Sequence, residues 1–387
     1  MKKAAILCYD WPTNNGGYNK SISSCIDQYK EIFDLTVIVF SDHYEKVDQT
    51  QFKIIHIPIK KRNQLRDFIR SIFRMSPAVE VRYHDSYASI QDVVNCNEFE
   101  ILICQGILLG RAIRFFKNLK NSILMSHDCY QKAFDSIWKT KKFPYSIAWY
   151  LEEKKLKLFE KNVVPLYDCM FAITNEDKLA YTAAGITCSG IFHRFPPISL
   201  PKIDKKNENK YIATSLLTVG RIDDRKEVGT LKFIKNTFRQ LRIEFPDLKY
   251  DLIGKYTDRF DSPNTGVYGH GFIESCEEFY SKNVLFLNLQ EQGAGIQFKT
   301  LDALSRRMIV ICSKNSSAGL PLGLKKFVHT YDDDQDLYLT IKRLLVDKSY
   351  FNSALNALDD IVTSDFFDSK MINNNKEILL KIDGLPR

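Results

Sequence analysis

Three cations within six positions give the first chemical lead. In Leu216-Leu217-Thr218-Val219-Gly220-Arg221-Ile222-Asp223-Asp224-Arg225-Lys226 an apolar run ends in glycine, and Arg221, Arg225 and Lys226 follow. A guanidinium bonds a phosphate bidentately and an ammonium is a compact charge, so Arg221 and Lys226 could converge on a diphosphate. The same residues also suit a solvated loop paired with Asp223, Asp224 and Glu227. A second lead runs from Gln290 through Glu291, Gln292, Gly293, Ala294, Gly295, Ile296, Gln297, Phe298 and Lys299 to Asp302. Gly293 and Gly295 permit close backbone approach to an anion. Asp302 could accept hydrogen bonds from ribose hydroxyls, or could be an ordinary surface acid. In the first half, Asn14-Asn15-Gly16-Gly17 between an apolar run and a helix is either an anion-binding turn or a plain one. Ser126-His127-Asp128 closes another apolar run, and that position separates His127 from His84, His193 and His270.

The elements that would position these residues follow from periodicity. Short apolar runs at Ala4–Tyr9, Leu35–Phe40, Phe52–Pro58, Ile101–Cys104, Ser122–Ser126 and Cys169–Ile173 read as strands, with helices between most of them, the first from about Ser21. The stretch PPISLPKIDKKNENK breaks the pattern and reads as a linker over 196–210. Strands resume at Ser215–Val219, Tyr250–Ile253, Val284–Leu289 and Met308–Cys312. Val228, Leu231, Ile234, Phe238, Leu241 and Phe245 predict one apolar helix face beginning near Glu227. Ser275 and Glu278 predict a capping box. Alternating strands and helices imply parallel sheets, so the expected fold is α/β with two Rossmann-like domains. The domains are 1–195 and 211–364, with a helix over 365–387 that could pack back on the first domain.

Composition sets limits. At 387 residues, 44% hydrophobic and 26% charged, the chain is globular and long enough for two cores. Nine cysteines without a CxxC pair are expected to be reduced core residues rather than zinc ligands, which predicts a reducing, cytoplasmic setting and no metal. No stretch approaches the roughly 20 apolar residues of a membrane span. The net charge is +8, with basic clusters at Lys60-Lys61-Arg62, Arg66, Arg70 and Arg74, then at 139–142 and 154–157. Leu65, Phe68, Ile69, Ile72 and Phe73 lie among the first. That pattern fits either a helix packed on a sheet or a basic amphipathic helix at the inner face of an anionic membrane. No nucleic-acid motif accompanies the charge.

The string VGRIDDRK resembles the signature of family-4, group 1 retaining glycosyltransferases of the GT-B fold, in which a strand ends in Gly-Arg and a Lys follows five residues after the Arg. Tyr268-Gly269-His270-Gly271-Phe272-Ile273 and QGAGIQFKTLDALS are similar to later parts of that pattern, and the resemblance covers about residues 211–315. It implies two Rossmann-like domains facing a cleft. It also implies that Arg221 and Lys226 bind a donor diphosphate and act in catalysis with His127, which faces the donor sugar. Gly271, Phe272 and Ile273 would line the base pocket, and Asp302 would hold the ribose. Gly293 and Gly295, with Glu291, Gln292 and Lys299 beside them, would form the donor loop, and Gly16 and Gly17 would lie near the diphosphate and acceptor. Two departures bear on donor identity. Ala294 stands where the family carries a glutamate, although two extra loop residues would align Gln292, and Arg306-Arg307-Met308 replaces a Gly-x-Pro turn.

The resemblance therefore predicts metal-independent, retaining transfer from a UDP- or GDP-linked sugar, with no further cofactor. The acceptor would be a glycan, a lipid-linked molecule or a protein, in bacterial surface-polysaccharide or glycoconjugate assembly. The rivals are a non-catalytic nucleotide-binding or scaffold subunit, a sugar-nucleotide epimerase and a phosphorylase.

Overall fold

Strands buried on both faces read as continuous apolar runs, and Lys-Ala-Ala-Ile-Leu-Cys at the amino end is one. The computed structural model describes residues 1–13, 17–47, 52–139, 142–193, 215–222, 224–291, 297–320 and 322–363. The expected linker over 196–210 and helix over 365–387 lie outside them. The described residues fall into two compact units, one reaching His193 and one starting at Ser215.

The first unit holds strands β1 (Lys3–Cys8), β2 (Asp34–Ser41), β3 (Lys53–Pro58), β4 (Ile101–Gln105), β5 (Asn121–Ser126), β6 (Cys169–Ala172) and β7 (Ile191–His193). Its helices are α1 (Gly17–Tyr29), α2 (Gln64–Arg74), α3 (Ala78–Val81), α4 (Tyr87–Asn95), α5 (Tyr130–Trp138), α6 (Tyr145–Val163) and α7 (Asn175–Ala183). The strands are all parallel in the order β3-β2-β1-β4-β5-β6-β7. Successive residues point to opposite faces. Ala5, Leu7, Ile38, Leu102 and Leu124 build one core, and Ala4, Ile6, Val37, Ile103 and Ile123 build the other.

The second unit holds β8 (Ser215–Val219), β9 (Lys249–Ile253), β10 (Val267–Gly269), β11 (Leu285–Asn288), β12 (Ile309–Ser313) and β13 (Val328–Tyr331). Its helices are α8 (Asp224–Phe233), α9 (Arg239–Glu244), α10 (Glu277–Lys282), α11 (Phe298–Ser305), α12 (Lys314–Ala318), α13 (Leu322–Lys325), α14 (Asp334–Val346) and α15 (Lys348–Thr363). The sheet is again parallel, ordered β10-β9-β8-β11-β12-β13.

Three strands escaped the sequence reading, β7, β10 and β13. All are edge strands of three or four residues, too short to show a period. The helix expected from Glu227 opens at Asp224 and passes through a π-helical segment, Ile234–Phe238, before α9. That wider turn puts Phe233 and Phe238, five residues apart, on the same buried side, where both rings pack on Tyr250 with centroids 5.1 and 5.6 Å away. Val228 falls off the face and is exposed. The capping box does not form. Cys276 takes the N-cap position, so Glu278 falls at the second helical residue and its carboxylate meets Lys282 instead. All nine cysteines are free thiols, and Cys8, Cys104, Cys169 and Cys312 are buried as expected.

One buried acid anchors the end of β5. Cys129 caps α5 with no side-chain bond. The fully buried Glu160 of α6 accepts instead from the amides of Tyr130 at 2.9 Å and Gln131 at 3.3 Å, and from the Tyr181 hydroxyl at 3.2 Å. Desolvation outweighs those donors and pushes its carboxyl up to about 8. The unfolded chain releases that proton near 4.5 and the folded chain near 8, so the stability contributed is full below 4.5 and is lost as pH rises through about 8. Glu160→Gln keeps the shape without the titration. Across that window its melting temperature is expected to fall less than that of the wild type, a difference of about a few kcal/mol at most. Parallel slopes would remove Glu160 from this role.

Candidate functional site

In parallel sheets of this order, loops diverge where the strand order reverses, and ligands bind at the carboxyl ends there. In the second unit that point lies between β8 and β11. Three strand-end loops are joined edge to edge beside it. The Gly220 amide donates to Ile253 O, the Ile222 amide to Lys255 O, and the Gly254 amide to Gly271 O. The fully buried Thr257 closes the set, donating to Gly254 O at 2.9 Å and accepting from the Gly271 amide at 3.0 Å. Gly254 has φ 132°, and a β-carbon there would sit 2.3 Å from Gly220 O. Only glycine fits.

Cations gather on this platform. The Arg221 guanidinium lies 5.2 Å from the Tyr256 ring centroid, a contact that orients it. The stem of Lys299 passes 3.7 Å from where a β-carbon of Gly220 would be. Lys255 Nζ stands 5.8 Å from the Phe272 ring centroid. Arg259 Nη2 donates to Ile222 O at 2.9 Å and ties down the loop that carries Arg221. α8 opens next, with Lys226 in its first turn, so the positive end of a ten-residue helix adds to the field. At the end of β11, Asn288 Nδ2 donates to Thr300 Oγ1 of α11 at 2.9 Å, and Ser313 and Ser316 both donate to Gln290 O. These bonds hold the strand end from which the glycine-rich loop departs. Asp302 of α11 lies 3.9 Å from Arg306 Nη1, and Arg306 reaches Glu277 at 2.6 Å and stacks 4.4 Å over Tyr280.

The first unit builds a second constellation at the ends of β1, β4 and β5. Tyr9 and Tyr18 stack with ring centroids 3.9 Å apart, and Tyr18 meets the His127 ring edge-on at 4.7 Å. The Tyr18 hydroxyl donates to Gln105 O at 2.6 Å and accepts from the Tyr9 amide at 3.2 Å. Burial pushes the Tyr18 phenol well up, so it stays a donor. His127 Nε2 is 2.9 Å from Gln105 Oε1, while Gln105 Nε2 faces Met125 Sδ at 3.3 Å. With the amide set that way, the neutral imidazole carries its proton on Nε2 and its lone pair on Nδ1. Gly106 follows with φ 110°, and a β-carbon there would meet Tyr9 Cε1 at 2.5 Å.

The structure therefore brings Gly220, Arg221 and Lys299 together, and places Gly271 and Phe272 on the adjoining loop, where Phe272 is exposed. Ile273 follows the end of β10 and Glu291 the end of β11. Gly17 is the first residue of α1, so that helix opens four residues before the expected Ser21, which puts Tyr18 in reach of β4. Gly16, Gln292, Gly293 and Gly295 lie outside the described residues, as does the side chain of Lys226. The sequence reading missed Tyr18, Gln105, Gly106, Tyr256 and Thr257. The only sequence signal was for Tyr18, an aromatic directly after the Gly16-Gly17 pair. Among the described residues, no group of three or more His, Cys, Asp or Glu side chains could hold a metal ion.

No protein-family model matches the chain. An uncharacterized 44.6 kDa protein in the cps region of Klebsiella pneumoniae is 22% identical over 286 residues, which is 69% of this chain. The match spans 64% of that relative's length, less than two thirds. Sucrose-phosphate synthase from Thermosynechococcus elongatus superposes with a TM-score of 0.71 at 13% identity, covering 99% of this chain and 100% of that one. Anabaena HepE in complex with UDP and glucose gives 0.69 at 12%, over 100% of both chains. WaaG, a glycosyltransferase involved in lipopolysaccharide biosynthesis, gives 0.69 at 11%, over 97% of this chain and 99% of that one. The two parallel α/β sheets and these superpositions agree: the chain has the GT-B fold of the group 1 glycosyltransferases.

Gly254→Ala tests the platform. The added carbon collides with backbone at a φ that alanine avoids, so stability is expected to drop by about 2 kcal/mol or more, read as a lower melting temperature. An unchanged melting temperature would show that the Gly220–Gly254 contact is loose.

Proposed function

We propose that this chain is a retaining, metal-independent glycosyltransferase that moves a sugar from a UDP- or GDP-linked donor to a glycan, lipid-linked or protein acceptor in surface-polysaccharide or glycoconjugate assembly. The carrying observation is the second unit's platform, where Arg221 is held over Tyr256 beside Lys299 at the point where the strand order reverses. HepE, similar in fold, was solved with UDP and glucose, which supports a UDP-linked donor here.

In this reading the bond between the anomeric carbon and the diphosphate oxygen breaks and charge grows on the departing diphosphate, while an acceptor hydroxyl oxygen bonds to the same face of that carbon and gives up its proton to the diphosphate. Arg221 and Lys226 take up that charge, with the opening turn of α8 behind them. Asp302 accepts from the ribose hydroxyls. His127 spends its Nε2 proton on Gln105 and offers the Nδ1 lone pair to a sugar hydroxyl. Tyr18 and Gln105 are positioning residues that set its tautomer and tilt.

Calorimetry against UDP, GDP and ADP tests the diphosphate site. Arg221→Ala and Lys226→Ala are each expected to weaken binding of the preferred nucleotide about tenfold or more, and to slow transfer about a hundredfold. If none of the three nucleotides binds, the reading fails. If nucleotide binds and no donor sugar is ever transferred, in the presence or absence of EDTA, the non-catalytic alternative replaces it.

His127→Ala is expected to slow transfer about ten- to a hundredfold with UDP affinity unchanged, and Gln105→Met to do the same less severely. Equal loss of nucleotide affinity in either variant would make their role structural.

A further inference from the structure

α2 turns its polar side inward. Leu65, Phe68, Ile69, Ile72 and Phe73 recur at three- and four-residue steps, so they share one face of the helix. That face is in solvent: Phe73 is 84% exposed, Leu65 70%, Ile72 51%, Ile69 46% and Phe68 37%, and Met75 at the C-cap is 73% exposed. The side against the protein carries Asp67 and Ser71, both buried. Ser71 Oγ accepts from Lys155 Nζ of α6 at 2.8 Å, and Asp67 Oδ2 accepts from the Asn63 amide at 3.3 Å. The apolar surface continues onto α6. Leu151 and Leu158, one turn to either side of Lys155 on the same face, are 52% and 55% exposed. Lys155 Nζ stands 5.9 Å from the Phe68 ring centroid and joins the two helices.

Charge borders the patch. Arg66, Arg70 and Arg74 repeat every four residues along one edge of the stripe, and Lys60, Lys61 and Arg62 precede the helix. Asp85 takes Lys60, Arg70 and Arg74, and Asp67 takes Arg66. Two carboxylates against six cations leave the patch positive. A contiguous apolar surface of this kind marks a docking face. An apolar stripe with cations along its edge matches the layering of an anionic leaflet, acyl chains beneath phosphates. Among the described residues no helix is long and apolar enough to cross a membrane, so such contact would be peripheral.

We propose that α2, with the adjoining face of α6, docks on an anionic lipid bilayer. Leu65, Ile69, Ile72 and Phe73 enter the acyl boundary, and the cations from Lys60 to Arg74 meet headgroup phosphates. The observations behind this surface are independent of the nucleotide site.

The test is co-sedimentation of the full chain with vesicles of phosphatidylcholine, with and without phosphatidylglycerol, at low and high salt. Expected are binding to the anionic vesicles, a fall of about tenfold or more in Ile69→Ser/Phe73→Ser, and a similar fall with a weaker salt dependence in Lys61→Glu/Arg62→Glu. All four residues are exposed, so melting temperature and UDP binding should stay at wild-type values; vesicle binding is thereby read apart from the nucleotide site. No binding of wild type to anionic vesicles at low salt overturns the proposal, as does undiminished binding by both variants. A concentration-dependent dimer lost in Ile69→Ser/Phe73→Ser, without vesicle binding, would also overturn it and make the face a self-association surface.

Discussion

Parallel pairing is the constraint from which the rest follows. Each sheet runs all its strands in one direction, so every carboxyl end opens on the same side and every chemically useful loop is delivered there. Both units use the order in which the first and fourth strands are neighbours, and both place their polar constellation beside that pair. Tyr18, Gln105 and His127 meet around β1, β4 and β5, and Lys299 passes Gly220, next to Arg221, at the end of β8. The apolar runs of the inner strands are buried on both faces, so their solvated parts are their ends.

What makes those ends rigid is local backbone geometry and a few buried polar groups. Gly254 lets the loops after β8 and β9 touch at a distance no side chain permits, and Thr257 ties the β9 loop to the β10 loop through Gly254 O and the Gly271 amide. In the first unit Glu160 substitutes for a missing cap on α5, and the Tyr181 hydroxyl it accepts from lies 2.9 Å from Ser126 Oγ, one residue before His127. Burying these groups costs desolvation, which appears in the raised Glu160 carboxyl. In the proposed transfer, Arg221 and His127 held this way would need little rearrangement to meet a ligand, and preorganisation of that kind is a source of electrostatic stabilisation.

Much of this was legible in the residues. The ten expected strands are present with boundaries shifted by at most one residue, because a doubly buried strand is a short apolar run and little else. The Gly220-Arg221 strand end and the helix bearing Lys226 also follow from local pattern. The edge strands β7, β10 and β13 were not legible, since a three-residue strand has no period of its own and exists through its neighbour. The π-helical segment was equally hidden: the step from Phe233 to Phe238 only makes sense once Tyr250 lies beneath both rings.

By itself, then, the sequence determined the strand–helix alternation, the α/β class and the cations at the end of β8, all of which depend on neighbours within a few positions. Tertiary structure alone decided which partners those residues meet. Gln105 reaches His127 from 22 positions away and sets its tautomer, and Glu160 caps a helix 30 residues earlier in the chain. It also decided which way α2 faces. Periodicity reveals that a helix has an apolar stripe, but a stripe carries no direction, and only packing against α6 shows that this one looks outward.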